Sequence, residues 1–247
     1  YRRKGITYEN SSVFEADGKT RKRMPTHRDM YEVLKEMPGA ERLALSESRF
    51  VTGSAQRLGQ ETNVDLDNQF VVIDTSEIGK DLLTAGTFTA TDFCTERCKE
   101  SRVRKKALIL DELWTLIGAS SNPQAAEFVV ECYKTYRAFG AAVIGATQDL
   151  NDFFALENGK FGRAILNNSR IKVVLPLEEE EAVRVKEVMG LSGEEMLQII
   201  RNKRGEGLLC AGHNHISVAF QSTQLEYDMI TTSRQDLERQ MRENQKM

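Results

Sequence analysis

Lys106-Ala-Leu-Ile-Leu-Asp111-Glu112-Leu-Trp114 and, further on, Ala141-Ala-Val-Ile-Gly-Ala-Thr147-Gln148 decide how this chain folds. Each stretch opens with an apolar run of strand length and ends in polar groups. The residues between them, Gln124–Phe139, carry a helical pattern that stops at Gly140, a good residue for a helix C-terminus. Parallel strands joined by a crossover helix place both C-terminal ends on one sheet edge, where open α/β sheets bind ligands. Asp111-Glu112 would stand at one strand end and Thr147-Gln148 at the next. A first carboxylate there can hold Mg²⁺, directly or through water, and a second can polarise an attacking water. An amide can orient that water against a γ-phosphate. This residue set is the hydrolytic half of a nucleoside-triphosphatase site.

Working outward, the 247 residues are enough for a good core, and 40% hydrophobic with 29% charged residues is ordinary for a soluble globular protein. A net charge of −3 argues against a whole-surface grip on nucleic acid and leaves a local basic lining open. No apolar run approaches the roughly 20 residues of a membrane helix, and no signal peptide is visible. Membrane association is therefore expected only through partners or through further sequence. The four cysteines include no CxxC pair, and Cys94 and Cys98 stand one helical turn apart. That is the pattern of a reduced, cytosolic protein.

Residues 1–24 are polar, with Arg2-Arg3-Lys4 and Arg21-Lys22-Arg23, and read as a surface connector. Thr26 with Asp29 three residues on predicts a capped helix through Lys35, and Glu41–Phe50 a second. Gln69–Asp74 predicts a strand, Ser76–Gly79 a turn, and Leu82 to about Arg102 a long helix. Ala107–Leu110, Ala142–Ala146 and Arg170–Leu175 predict three more strands, with helix and loop over Asp149–Asn167. Glu178–Met189 predicts a helix whose acidic start suits its dipole, and Ser192–Ile200 a helix with Ser192 and Glu195 as capping box. Gly207–Cys210 and Ile216–Phe220 predict a hairpin closing on Gly212-His213-Asn214, and Thr231–Met247 a polar tail. Strands alternating with helices predict an α/β fold with a mostly parallel, doubly wound sheet.

A phosphate loop, GxxxxGK[ST], is not present. Gly18-Lys19-Thr20 has Val13 where the first glycine belongs and no strand before it, and Ile78-Gly79-Lys80-Asp81 lacks the glycine spacing. Arg137 and Arg163 are candidates to neutralise transition-state charge, with Arg170 a weaker third. Cys210, His213 and His215 offer three zinc-type ligands on one tight hairpin with no fourth, which favours a polar turn over a metal site. Trp114 reads as a core anchor and Phe153-Phe154 as packing.

Together these landmarks resemble the large cytoplasmic ATPases of conjugation and type IV secretion, the VirB-four/TraC/TraE-like class. The stretches that carry the resemblance run from about Pro25 to Phe220. They are Thr62-Asn-Val-Asp-Leu-Asp-Asn-Gln-Phe-Val-Val-Ile-Asp74, Leu110-Asp-Glu-Leu-Trp114, Tyr136-Arg-Ala-Phe-Gly140, Gly145-Ala-Thr-Gln-Asp-Leu150, Arg163-Ala-Ile-Leu-Asn-Asn-Ser169 and Gly205-Glu-Gly-Leu208. The resemblance implies a RecA-like P-loop domain with an inserted helical subdomain, assembled as a hexamer and using ATP and Mg²⁺. Carried over, Asp111 is the Walker B carboxylate on Mg²⁺, Glu112 the catalytic glutamate and Gln148 the nucleotide-sensing glutamine beside Thr147. Arg137 and Arg163 fall in the family's arginine-bearing motifs, and which of them acts across the subunit interface stays open.

The implied division is a connector and helical subdomain over 1–68, a RecA-like core over 69–225 with its C-terminal hairpin, and a tail over 226–247. The family's Walker A strand lies upstream of the matching region and is central in RecA-like sheets. Its loss would leave unpaired edges and an apolar face. The chain therefore reads as the C-terminal part of a motor, incomplete and unable to hydrolyse ATP alone. The implied function is to power conjugative transfer or type IV secretion from the cytoplasm, peripheral to the inner face of the cell membrane. Inner-membrane secretion components would be its partners, with DNA contact possible. The rival readings are an FtsK/HerA-like DNA translocase or coupling protein and a non-catalytic oligomerisation scaffold.

Overall fold

A ladder of parallel hydrogen bonds joins Lys106–Leu110 to Ala141–Gly145, and it organises the C-terminal half of the molecule. The computed structural model describes residues 1–61, 68–75, 78–118 and 121–244. It divides into two units, Tyr1–Arg97 and Cys98–Met247.

In the first unit, α1 (His27–Glu36) starts at the expected capping box. The Asp29 carboxylate accepts the Thr26 backbone N–H at 2.8 Å. α2 (Glu41–Val51) packs against α1, with the His27 ring stacked on Phe50 at a centroid separation of 4.6 Å. α3 spans Lys80–Lys99 and tolerates its threonines because their hydroxyls turn back onto helix carbonyls, Thr89 onto Ala85 and Thr95 onto Thr91. The strand expected over 69–74 does not form. Phe70 and Val72 are 80% and 74% exposed, and among the described residues no strand pairs with the segment. An apolar run becomes a strand only where a neighbour completes its hydrogen bonds. Thr62–Asp67 of the quoted stretch, and Ser76 and Glu77 of the expected turn, lie outside the described residues.

In the second unit, β1 (Lys106–Leu110) leads through the short α4 (Trp114–Ile117) to α5 (Pro123–Thr135). Asn122 caps α5 by accepting the Gln124 N–H at 2.9 Å, with Pro123 at the first helical position. A 3₁₀ turn, Tyr136–Phe139, ends at Gly140 with φ +69°, and β2 (Ala141–Gly145) returns parallel to β1. The crossover is thus the one the two apolar runs predict. α5 buries Ala126, Val129 and Val130 against Leu113, Ile117, Phe153, Phe161 and Ile165. Phe153 comes from α6 (Leu150–Phe153), and Phe161 and Ile165 from α7 (Lys160–Asn168). Phe153 and Phe154 meet edge to face at 4.9 Å, which bears out their reading as packing.

β3 (Ile171–Val174), α8 (Glu179–Met189), α9 (Gly193–Arg201), β4 (Glu206–Ala211) and β5 (Asn214–Ala219) follow, then α10 (Gln224–Ile230) and, in the polar tail, α11 (Arg234–Asn244). The hairpin forms as expected, turning at Gly212 with φ +65°. The Gly212 N–H reaches the Arg170 carbonyl at 3.2 Å, and β3 pairs antiparallel with β4. Among the described residues parallel pairing is confined to β1 and β2, and β3 belongs to a three-stranded antiparallel sheet, order β3-β4-β5. Val174, Ala182, Val185, Leu191, Ile199, Leu208 and Cys210 form the core beneath it. On the parallel pair, Leu108 and Val143 face inward, whereas Ile109 and Ile144 remain 63% and 51% exposed.

Two outcomes test this packing. A Cβ on Gly145 would stand 2.3 Å from the Tyr133 hydroxyl and 2.6 Å from a Leu113 methyl. Gly145→Val should overpack the strand end and destabilise the chain by about 1–3 kcal/mol in urea unfolding. Glu195 closes the α9 capping box by accepting the Ser192 N–H at 2.7 Å, and it also meets His215 at 2.5 Å. The Ser192 backbone first, then His215, hold its carboxyl below its ordinary 4.5. A depressed carboxyl stabilises the fold fully above the unfolded value and loses that contribution as pH falls through the folded one. Urea unfolding across pH should show wild type losing more stability than Glu195→Gln below pH about 4.5.

Candidate functional site

Past the ends of β1 and β2 the two segments stay bonded. Ala146 N–H donates to the Leu110 carbonyl at 2.9 Å, and Leu113 N–H to the Ala146 carbonyl at 2.8 Å. Asp111 and Glu112 are the residues left between these two clamps. Glu112 is forced into the left-handed region, φ +48°. A non-glycine residue there costs on the order of 1–3 kcal/mol. Its backbone is tied down on both sides. Its N–H donates to Asp111 Oδ1 at 3.0 Å, and its carbonyl accepts from the Thr115 N–H at 2.9 Å and the Thr115 hydroxyl at 2.8 Å.

Glu112 is half-buried, and its carboxylate carries a donor on each oxygen. Gln148 Nε2 donates to Oε1, and Trp114 Nε1 to Oε2 at 2.7 Å. Asp111 and Gln148 are exposed, and Thr147 is half-buried with its hydroxyl 3.4 Å from the Asp149 carbonyl. Asp149 in turn caps α6 by accepting the Asp152 N–H at 2.9 Å. The edge therefore gathers Asp111, Glu112, Thr147 and Gln148, the residues singled out from the sequence, and adds Trp114. The sequence reading of Trp114 as a core anchor misses its bond to Glu112. The signal was a lone indole two residues beyond the carboxylate, at the turn from strand to helix.

The two arginines stand elsewhere. Arg137 is exposed in the 3₁₀ turn before β2, at the opposite end of the sheet. Five residues of strand separate it from the site edge, roughly 16 Å. Arg163 is exposed on α7, and its guanidinium donates to the Asn158 carbonyl. It is received there by three successive left-handed residues, Glu157, Asn158 and Gly159, with φ of 47°, 55° and 77°. Neither arginine pairs with Asp111 or Glu112. Arg170, the weaker candidate, is exposed just before β3.

The hairpin residues behave as structure. Cys210 is buried in the core, and His215 is bonded to Glu195. Among the described residues no three His, Cys, Asp or Glu side chains converge as a metal cluster. Burial pushes the Cys98 and Cys210 thiols up, away from thiolate chemistry, and pushes Tyr133 up to about 12. Among the described residues no helix is long and apolar enough to cross a membrane.

Residues 54–235 match the family model described as TraG P-loop domain, 182 of the 247 residues. Among solved structures, VirB4 of Thermoanaerobacter pseudethanolicus is similar at 27% identity and a TM-score of 0.74, over 92% of this chain and 62% of that one. The chain thus spans less than two thirds of that relative's length. The genome packaging NTPase B204 from Sulfolobus turreted icosahedral virus 2, solved in complex with AMP, shows 13% identity and a TM-score of 0.41 over 60% of this chain and 65% of that one. No curated protein matches the chain. The VirB4 match bears out the RecA-like α/β fold and the resemblance on which it was expected. With a family match over most of its length and a strand edge bearing Asp111-Glu112 and Thr147-Gln148, the chain belongs to the TraG P-loop domain family.

Proposed function

We propose that this chain is the C-terminal part of an ATPase motor that powers conjugative transfer or type IV secretion, coupling ATP hydrolysis to channel assembly or substrate passage. The observation that carries the reading is the Glu112 carboxylate, held by the Gln148 amide on the strand edge beside Asp111. In this reading residues 1–68 are connector and helical subdomain, 69–225 the ATPase core and 226–247 a tail. The working form is a hexamer of the longer protein. It sits in the cytoplasm against the inner face of the membrane through other secretion components, with DNA contact open to it.

The chemistry follows from the side chains. Asp111 and Thr147 offer a hard carboxylate and a hydroxyl at one edge, the oxygen donor set that suits Mg²⁺ while it keeps most of its waters. Mg²⁺, when bound, neutralises charge on the phosphate oxygens. Glu112 takes a proton from water as that water's oxygen bonds to the γ-phosphorus. The bond from phosphorus to the bridging oxygen breaks, ADP leaves, and the proton passes on to the phosphate released. Gln148 contributes its amide to the same water. Arg137 and Arg163, from a neighbouring subunit, are the groups available to balance charge in the transition state, an effect worth about 10³-fold or more. The chain contains no GxxxxGK[ST], so the grip on the phosphates needs residues of the longer protein.

The test is Mg²⁺-dependent ATP turnover by the full-length parent, by its Glu112→Gln variant and by this chain alone. The parent should turn over, Glu112→Gln should lose about 10²–10⁴-fold in kcat, and the chain alone should be inactive. Full activity in Glu112→Gln would sink the assignment.

A further inference from the structure

Trp114 is the single tryptophan of the chain. Its neighbours Leu113, Leu116 and Ile117 pack into the core formed with α5 and α7, and Trp114 is not among those core side chains. Its indole is half-buried, and its N–H is spent on Glu112 Oε2 at 2.7 Å. The bond closes a two-residue loop over a backbone position that is itself strained, Glu112 at φ +48°. Gln148 reaches the other oxygen from the next strand end. A carboxylate with one donor on each oxygen has its plane fixed, and about two of its roughly four lone-pair sites stay open. An indole N–H donates and cannot accept, so it never competes for the proton that the carboxylate takes up.

We propose that Trp114 is a positioning residue for the hydrolytic glutamate: its indole N–H locks the plane of the Glu112 carboxylate so that the open lone pairs face the attacking water. The inference rests on the reading of Glu112 as the group that activates water. Gln148 alone leaves the carboxylate free to pivot about one anchored oxygen, and misorientation of a base by a fraction of an ångström to an ångström slows chemistry by up to about 10²-fold. Substrate binding has no stake in that orientation, so the cost falls on kcat.

Two measurements test it. In the full-length parent, Trp114→Phe should lower kcat about 10- to 100-fold while KM for ATP stays within about twofold. In the nucleotide-free full-length parent, ¹⁵N-labelled at tryptophan, the indole ¹⁵N–¹H resonance that disappears in Trp114→Phe belongs to this group. That resonance should move on Glu112→Ala and on Gln148→Ala, because the first removes its acceptor and the second frees it. An unchanged kcat in Trp114→Phe, beside a Glu112→Gln parent that is dead, overturns the positioning role and leaves the function intact. A loss confined to KM, or an indole resonance indifferent to Glu112→Ala, overturns it as well. If Glu112→Gln keeps its turnover, the underlying reading falls and takes this one with it.

Discussion

The pairing of β1 with β2, prolonged past both strand ends, is the constraint on which the site depends. Leu110 and Ala146 share one bond and Ala146 and Leu113 another, so the chain between Leu110 and Leu113 is clamped at both ends to the same partner residue. Two residues must span a gap that a regular strand would cross without turning. The left-handed conformation at Glu112 is the consequence, and it lifts that side chain away from the alternation of the strand. Leu113, the next residue, is buried at 2% exposure and anchors the turn in the core. Hydrophobic packing below and backbone bonds above therefore fix a strained residue between them.

The magnitudes show why the strain persists. A left-handed non-glycine residue costs on the order of 1–3 kcal/mol. The backbone of Glu112 and its immediate neighbours are held by bonds to Asp111, Thr115 and Ala146, each worth roughly 1 kcal/mol net. Burial of Leu113 and Ile117 adds about 1.5–3 kcal/mol apiece. No single contact outweighs the strain comfortably, and the sum does. Geometry of this kind is stable only where packing and hydrogen bonds overdetermine it.

What was legible in the sequence divides along the same line. β1, β2 and the crossover were legible because near-continuous apolar runs mark strands buried in an α/β layer. The capping boxes at Thr26 and Ser192 were legible because they are local, each satisfied within three residues. Gln69–Asp74 was read as a strand on composition alone, and a ladder partner is a tertiary fact that composition does not contain. β3 was read correctly as a strand, but its direction against β4 is set by the hairpin that folds back beside it. At the site, Asp111, Glu112, Thr147 and Gln148 followed from which ends of parallel strands meet. The turn that brings Trp114 onto Glu112 did not, because a positive φ imposed by distant backbone bonds leaves no mark on residue type.

Exposure at this edge is uneven, and the unevenness has a consequence. Asp111 and Gln148 are exposed, where a polar group keeps its hydration at little cost. Glu112 is half-buried, and a carboxylate withdrawn from water must be given donors in return. It receives them from one residue on its own turn and one on the neighbouring strand end, so the same two bonds that compensate its burial also aim it. A group whose chemistry depends on direction gains from being fixed before its ligand arrives, since no binding energy is then diverted to ordering it.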